Sequence, residues 1–351
     1  MRGAPRKFLV VGPSWVGDMV MAQSLYRLLH DRYSGCTIDV VAPSWSLPIL
    51  ARMEEVNQAI ELPVAHGEAA LGSRFRLGQE LRGQRYTHAL VLPRSLKAAL
   101  VPYFAAVPVR TGYRGEMRFG LINDMRAFDA AGLPRTVDRF VALGLAKDEA
   151  LPNVLLQPQL QIDADAQART LSSLGLENAG DVVALLPGAE YGPAKQWPPE
   201  YFADLAGRLA GVGLAIWVLG SDKERDLGER ICSVAGDARV TNLCGRTTLA
   251  EVVDVLAATR VAVSNDSGLL HVAAAVGAHV VGLYGSSSPR MTPPLTPRQH
   301  VFYRELECSP CFERVCPLGH LRCLRDVTVD EVCSTVVTEL GSPSQPIDSQ
   351  T

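Results

Sequence analysis

Val263-Ser264-Asn265-Asp266-Ser267-Gly268-Leu269-Leu270-His271 decides the fold. A buried, β-branched strand runs into a polar turn, and a helix rich in small residues begins at once. The free N–H groups of that helix start, with the helix dipole behind them, form a site for a pyrophosphate. Gly268 removes a side chain that would obstruct it, and Asp266, which a phosphate would repel, should face sugar hydroxyls instead. His271 lies in the first turn, where it either touches a phosphate or packs as a core histidine. The strand after this helix ends in Gly282-Leu283-Tyr284-Gly285-Ser286-Ser287, a second small polar turn at the same sheet edge.

Outward from this stretch, short apolar runs alternate with helical patterns, which predicts parallel sheets with crossover helices. The second half carries strand patterns at 182–186, 215–219, 261–264 and 280–283, with helices at 201–209, 223–234, 249–258 and 269–275. The first half carries strands at 8–11, 38–41, 88–92 and 109–112, with helices at 19–30, 68–82 and 96–104. Residues 147–161 between the two series contain Pro152 and Pro158 and have little periodicity. The 351 residues therefore read as two Rossmann-like, doubly wound α/β domains, 1–155 and 156–327, facing a central cleft. A final segment, 328–351, reads as a helix at 329–340 followed by a disordered Pro/Ser/Gln tail.

Two further segments carry chemistry. Gly12-Pro13-Ser14-Trp15-Val16-Gly17-Asp18 follows the first strand and opens a helix. It lacks the GxGxxG pattern and the acidic residue of a dinucleotide site. Asp18 is either a plain helix N-cap or a general base at the carboxyl end of the strand. The other runs from Leu186 through Pro187-Gly188-Ala189-Glu190-Tyr191-Gly192-Pro193-Ala194-Lys195-Gln196-Trp197-Pro198. Its glycines permit close backbone approach to a ligand, and Lys195 adds a positive charge that is otherwise a solvated surface group.

Composition narrows the function classes. Hydrophobic residues are 47% and charged residues 20% of the chain, an ordinary globular balance. No apolar run is long enough to span a bilayer, and Gly12-Pro13 interrupts the only N-terminal one, so a cytoplasmic protein with reduced cysteines is expected. The net charge of −3 is uneven: residues 1–150 hold 19 Lys/Arg against 14 Asp/Glu, and residues 151–351 hold 15 against 23. Between Arg74 and Arg118 nine basic residues face only Glu80 and Glu116. This is either scattered surface charge or a cationic face for a phosphorylated or membrane-surface partner. Aromatic residues are only 6%, and no helix-turn-helix or zinc-finger spacing occurs, so nucleic acid is not an expected partner. Cys308-x2-Cys311-x4-Cys316-x6-Cys323 is either a structural zinc knuckle or a set of packed thiols. Cys36, Cys232, Cys244 and Cys333 read as core filler.

Together, the Gly-Pro-Ser-Trp-Val-Gly-Asp-Met, Pro-Gly-Ala-Glu-Tyr-Gly-Pro-Ala-Lys-x-Trp-Pro and Asn-Asp-Ser-Gly-Leu-x-His-Val-Ala-Ala stretches resemble the ADP-heptose:lipopolysaccharide heptosyltransferases. The likeness covers residues 8–335, and the first two stretches point to the family's type II branch. It implies a GT-B architecture with the acceptor in the N-terminal domain and the donor in the C-terminal one. By resemblance Asp18 matches the catalytic base and Lys195 the donor-phosphate lysine. Asp266, Ser267, Gly268 and His271 match the donor sugar and pyrophosphate loop. Asp222 matches an acidic ribose contact, although Glu224 stands two positions away. Where some relatives carry hydroxyl side chains before the lysine, this chain has Glu190 and Tyr191, so backbone N–H groups would serve there.

The implied reaction is an inverting transfer of L-glycero-D-manno-heptose from ADP-heptose to the first heptose of phosphorylated Kdo-lipid A. It needs no catalytic cofactor, and the protein would work peripherally at the cytoplasmic face of the inner membrane. Lys97, Arg110, Arg114 and Arg118 are candidates, from charge clustering alone, for holding the acceptor's acidic groups. The alternatives are transfer at another heptose step (I or III), a sugar-nucleotide epimerase, or a non-catalytic nucleotide-sugar binding regulator on the same fold.

Overall fold

A computed structural model describes residues 6–63, 70–177 and 180–341. The chain divides into two compact units, Met1–Gln161 and Ile162–Thr351. The expected disordered tail, 342–351, lies outside the described residues, as do 68 and 69 at the start of the helix expected over 68–82.

The first unit runs β1 (Lys7–Val11), α1 (Val16–Arg32), β2 (Thr37–Ala42), α2 (Leu47–Leu50), β3 (Gln58–Glu61), α3 (Leu71–Leu81) and β4 (His88–Val91). It continues through α4 (Leu100–Phe104), β5 (Val109–Tyr113), β6 (Asp124–Arg126) and α5 (Thr136–Gly144). All strand pairs are parallel, in the order β3-β2-β1-β4-β5-β6. The inner strands are apolar on both faces because helices cover both; Leu9, Val10, Ile38, Val40 and Ala89 are inaccessible to solvent.

The second unit runs α6 (Ala164–Leu174), β7 (Val182–Leu186), α7 (Pro199–Gly211), β8 (Ala215–Val218), α8 (Arg225–Ala235), β9 (Val240–Asn242) and α9 (Leu249–Ala257). It continues through β10 (Val261–Asn265), α10 (Gly268–Ala275), β11 (His279–Tyr284), β12 (Gln299–Tyr303), α11 (Arg322–Arg325) and α12 (Val329–Gly341). Its sheet, β12-β11-β10-β7-β8-β9, is also parallel throughout. Trp197, Phe202, Val263 and Leu283 pack in one core with Val332 and Val336 of α12, so the last helix is integral to this unit.

Each sheet reverses its winding direction once, between β1 and β4 in the first and between β7 and β10 in the second. In open doubly wound sheets the strand connections diverge at that switch point and leave a crevice at the carboxyl ends. The sequence 12–18 follows β1, and residues 187–196 and 266–267 follow β7 and β10. The fold therefore places the chemistry-bearing segments at switch points.

Candidate functional site

The second unit's switch point is held together by Asn265, the last residue of β10. Its buried side chain accepts from the Trp197 N–H (2.9 Å) and donates to the Pro187 carbonyl (2.7 Å), which fastens both ends of the loop after β7 to β10. Trp197 is itself buried, and its indole N–H donates to the Val327 carbonyl at 2.9 Å. Lys195 ends a 3-10 turn, Pro193–Lys195, and its Nζ lies 2.5 Å from Asp266 Oδ2. Asp266 is only 6% exposed, and its other oxygen accepts from the Thr292 hydroxyl at 3.4 Å. The lysine expected at the donor phosphate and the aspartate expected at the sugar thus stand side by side.

Around this pair are polar atoms without partners. Ser267 precedes α10 but makes no side-chain cap; its hydroxyl lies 3.3 Å from that of Ser264. The first amides of α10 have no acceptors within the helix and so face outward from its start. His271 is buried on α10, its Nδ1 has no hydrogen-bond partner, and burial lowers its pKa, so it is a neutral imidazole at pH 7. The hydroxyls of Ser286 and Ser287, after β11, are likewise buried and unpartnered. Buried polar groups are nearly always paired in folded proteins. The His271 ring and the Ser286 and Ser287 hydroxyls, with the amides at the start of α10, are groups that can bond an anionic, hydroxyl-rich ligand.

Glu190 and Tyr191 are occupied elsewhere. Glu190 pairs with Lys223 at 2.6 Å on the surface, and the Tyr191 hydroxyl donates to the Phe312 carbonyl at 2.6 Å. Asp222 is 80% exposed and pairs with Arg225 at 2.5 Å. Glu224, the other acidic candidate at this point, closes a capping box on Ser221, whose N–H it accepts at 2.8 Å; both carboxylates are thus engaged, and Asp222 is the more exposed.

The cysteine segment lies against the same loops. Phe312 N–H donates to the Ser286 carbonyl (2.7 Å), Ser309 Oγ to the Gly285 carbonyl (2.6 Å) and Ala194 N–H to the Arg314 carbonyl (3.0 Å). Gly192, at φ +154°, passes so close that an added Cβ would lie 2.6 Å from the Arg314 carbonyl oxygen. All eight cysteines are free thiols, and burial pushes Cys323 up to about 11, with its neighbours Cys316, Cys308 and Cys311 adding to the shift. Among the described residues no group of three or more His, Cys, Asp or Glu side chains is arranged to hold a metal ion. Through these backbone hydrogen bonds the segment braces the loops after β7 and β11.

In the first unit Asp18 is the third residue of α1, half-buried. The N-cap is Trp15, so the capping alternative for Asp18 does not hold. Its charge sits within the first turn, where the helix dipole favours a carboxylate. Of the four basic candidates, two are corrected. Arg118 is wholly buried, its guanidinium donating to the carbonyls of Pro93 (2.7 Å), Ser95 (3.4 Å) and Tyr113 (3.1 Å through Nε). Arg110 donates to Leu121 (2.6 Å), Val107 (2.6 Å) and Gly120 (3.2 Å) carbonyls. Both guanidiniums hold backbone rather than face a ligand. Arg114 is exposed and Lys97 half-buried.

Residues 74–322 match glycosyltransferase family 9 (heptosyltransferase). The chain belongs to that family. It is 46% identical to lipopolysaccharide heptosyltransferase 2 of Escherichia coli (strain K12) over 303 residues, 84% of this chain and 87% of that protein. The solved structure of E. coli ADP-heptose lps heptosyltransferase II superposes with a TM-score of 0.86 at 42% identity, covering 95% of this chain and 98% of that one. E. coli heptosyltransferase WaaC with ADP has the same fold, with a TM-score of 0.71 at 22% identity over 95% and 99% of the two chains. The family-9 chain is a glycosyltransferase of the GT-B fold, and these likenesses do not favour the epimerase and binding-regulator alternatives. Asn265, Thr292, Ser286 and Ser287 were not singled out by sequence. Only the small polar turn after β11 hinted at the last two, because hydrogen-bond partners far apart in the chain leave no local pattern.

Proposed function

We propose that this family-9 enzyme moves L-glycero-D-manno-heptose from ADP-heptose to the first heptose of phosphorylated Kdo-lipid A, the step of heptosyltransferase II. The observation that carries the donor assignment is the Lys195–Asp266 pair beside the start of α10 and the orphaned His271, Ser286 and Ser287 atoms. Charge on a departing ADP needs preorganised donors in a poorly hydrated site. Lys195 and the amides of 267–271 supply them, so no divalent metal or other cofactor enters the reaction. Asp266 then exchanges its lysine partner for hydroxyls of the sugar, and Asp222 takes the ribose.

Asp18 acts as general base. It takes the proton of an acceptor hydroxyl as that oxygen attacks the anomeric carbon; the carbon–oxygen bond to ADP breaks on the opposite face, which inverts the configuration. Lys97 and Arg114 remain as candidates for the acceptor's phosphates. Because the acceptor is lipid-anchored, the enzyme works at the inner face of the cytoplasmic membrane. Among the described residues no helix is long and apolar enough to cross a membrane, and the proposed association is peripheral. ADP release tests the reading: it should occur with acceptor bearing the first heptose, persist in EDTA, and fail with acceptor lacking that heptose. Equal release with both acceptors would reject the assigned step.

A further inference from the structure

Two large apolar side chains stand out on the first unit. Met117 is 82% exposed and Phe119 69% exposed, while Arg118 between them is fully buried. The cause is the anchor. Burying a guanidinium is unfavourable unless its donors are satisfied, and Arg118 satisfies them on the carbonyls of Pro93, Ser95 and Tyr113. Residues on either side of an inward-pointing anchor are turned outward. The rest of the loop is fastened as well. Glu116 N–H donates to the Arg94 carbonyl (3.2 Å), Leu96 N–H donates to the Glu116 carboxylate (2.7 Å), and Arg110 holds the carbonyls of Gly120 and Leu121. Exposure of Met117 and Phe119 is therefore built in and is not slack in a free loop.

Exposed cations flank the two. Arg94, its guanidinium 3.9 Å above the Phe128 ring, and Arg114 lie on the same loops. The one carboxylate within residues 114–120, Glu116, accepts from the Leu96 backbone N–H. The loops follow β4 and β5 and so share the carboxyl edge of the sheet from which Asp18 projects after β1.

We propose that residues 114–120 are a membrane-docking loop: Met117 and Phe119 enter the headgroup–acyl boundary of an anionic bilayer, and Arg94 and Arg114 meet its phosphates. Apolar side chains ringed by arginines suit such an interface, since the first gain by leaving water and the second by the surface potential. The inference rests on the reading that the acceptor is carried in a lipid surface, and it supplies the face by which the enzyme meets that surface.

Sedimentation with vesicles tests it on the full chain. Wild-type protein should bind vesicles containing phosphatidylglycerol, bind phosphatidylcholine vesicles far less, and release with added salt. Met117→Ser/Phe119→Ser should bind the anionic vesicles about tenfold or more weakly, whereas Met117→Leu/Phe119→Trp should bind at least as well as wild type. Turnover separates this surface from the transfer reading. The serine variant should be slow with acceptor embedded in vesicles and normal with the deacylated, water-soluble acceptor. Unchanged vesicle binding by the serine variant, or no binding by wild type, overturns the docking loop. Equal loss on the soluble acceptor also overturns it, because the two side chains would then touch sugar. If wild type binds vesicles but turns over neither acceptor, the transfer reading fails and the loop stands.

Discussion

A carboxylate at the third position of a helix and a lysine salt-bridged to a buried aspartate respond differently to substitution. Asp18→Asn removes a charge from the first turn of α1 without changing the N-cap residue, Trp15; the loss of dipole interaction is worth about 0.3–1 kcal/mol. An amide cannot take a proton, and general-base catalysis contributes about 10²–10⁴-fold. The variant should melt close to wild type, bind ADP-heptose normally and transfer sugar very slowly; near-normal turnover would leave Asp18 without a catalytic role. Lys195→Ala acts on two levels. It removes a charge-assisted contact to the donor, about 1.5–3 kcal/mol or roughly ten- to a hundredfold in donor use. It also strands Asp266, 6% exposed and left with one long contact to Thr292, which lowers stability. The double variant Lys195→Ala/Asp266→Ala should regain thermal stability over Lys195→Ala without regaining donor use. Recovery of both together would mean the lysine matters only to folding. The sequence singled out Asp18, Lys195 and Asp266 in loops that follow strands, and the fold places them after β1, β7 and β10, with the last two paired. Arg110 and Arg118 were misread because a cluster of arginines looks the same whether it faces solvent or holds carbonyls.

Among the elements, those with an apolar inner position declared themselves. The eight strands read from sequence are the eight inner strands of the two sheets, whereas β3, β6, β9 and β12 are the four edges. An edge strand has one partner and a half-wetted surface, so Gln58–Glu61 and Asp124–Arg126 carry no apolar run to betray them. Helices α5 and α6 were missed as well. The last helix, α12, was read to within a residue, and its start shows how it is fixed. Thr328 N–H donates to Glu331 at 2.9 Å and Glu331 N–H to the Thr328 hydroxyl at 3.3 Å, a reciprocal cap before Val329. The Arg304 guanidinium, with the Thr328 amide, holds Glu331 down at about 2 against an ordinary 4.5. A carboxyl depressed on folding adds stability above its unfolded value and loses it as pH falls toward the folded one. Glu331→Gln should therefore lower the melting temperature near neutral pH, and its difference from wild type should shrink as pH falls from about 4.5 to about 2. A difference constant across that window would show that Glu331 is not held by charge.

For the whole molecule, the two units have separate cores and opposite charge balance, with the basic excess in the first and the acidic excess in the second. The groups proposed to hold the donor, from Lys195 to Ser287, all belong to the second unit, while Asp18, Lys97 and Arg114, proposed to serve the acceptor, belong to the first. ADP alone should therefore act on one unit. Hydrogen exchange of the full chain should slow at residues 187–196, 264–271 and 285–292, where amides and hydroxyls lack partners or hold the loops that carry them. Exchange at 12–18 and 114–122 should not change. A ligand bound only to the folded state stabilises it by about 2.7 kcal/mol at a hundredfold excess over Kd, so the effect is large enough to read at each of these segments. In Lys195→Ala the same ADP concentration should leave most of that protection unrealised. Protection by ADP appearing at 12–18 while 264–271 exchanges unchanged would place the nucleotide in the first unit and reverse the division of labour between acceptor and donor.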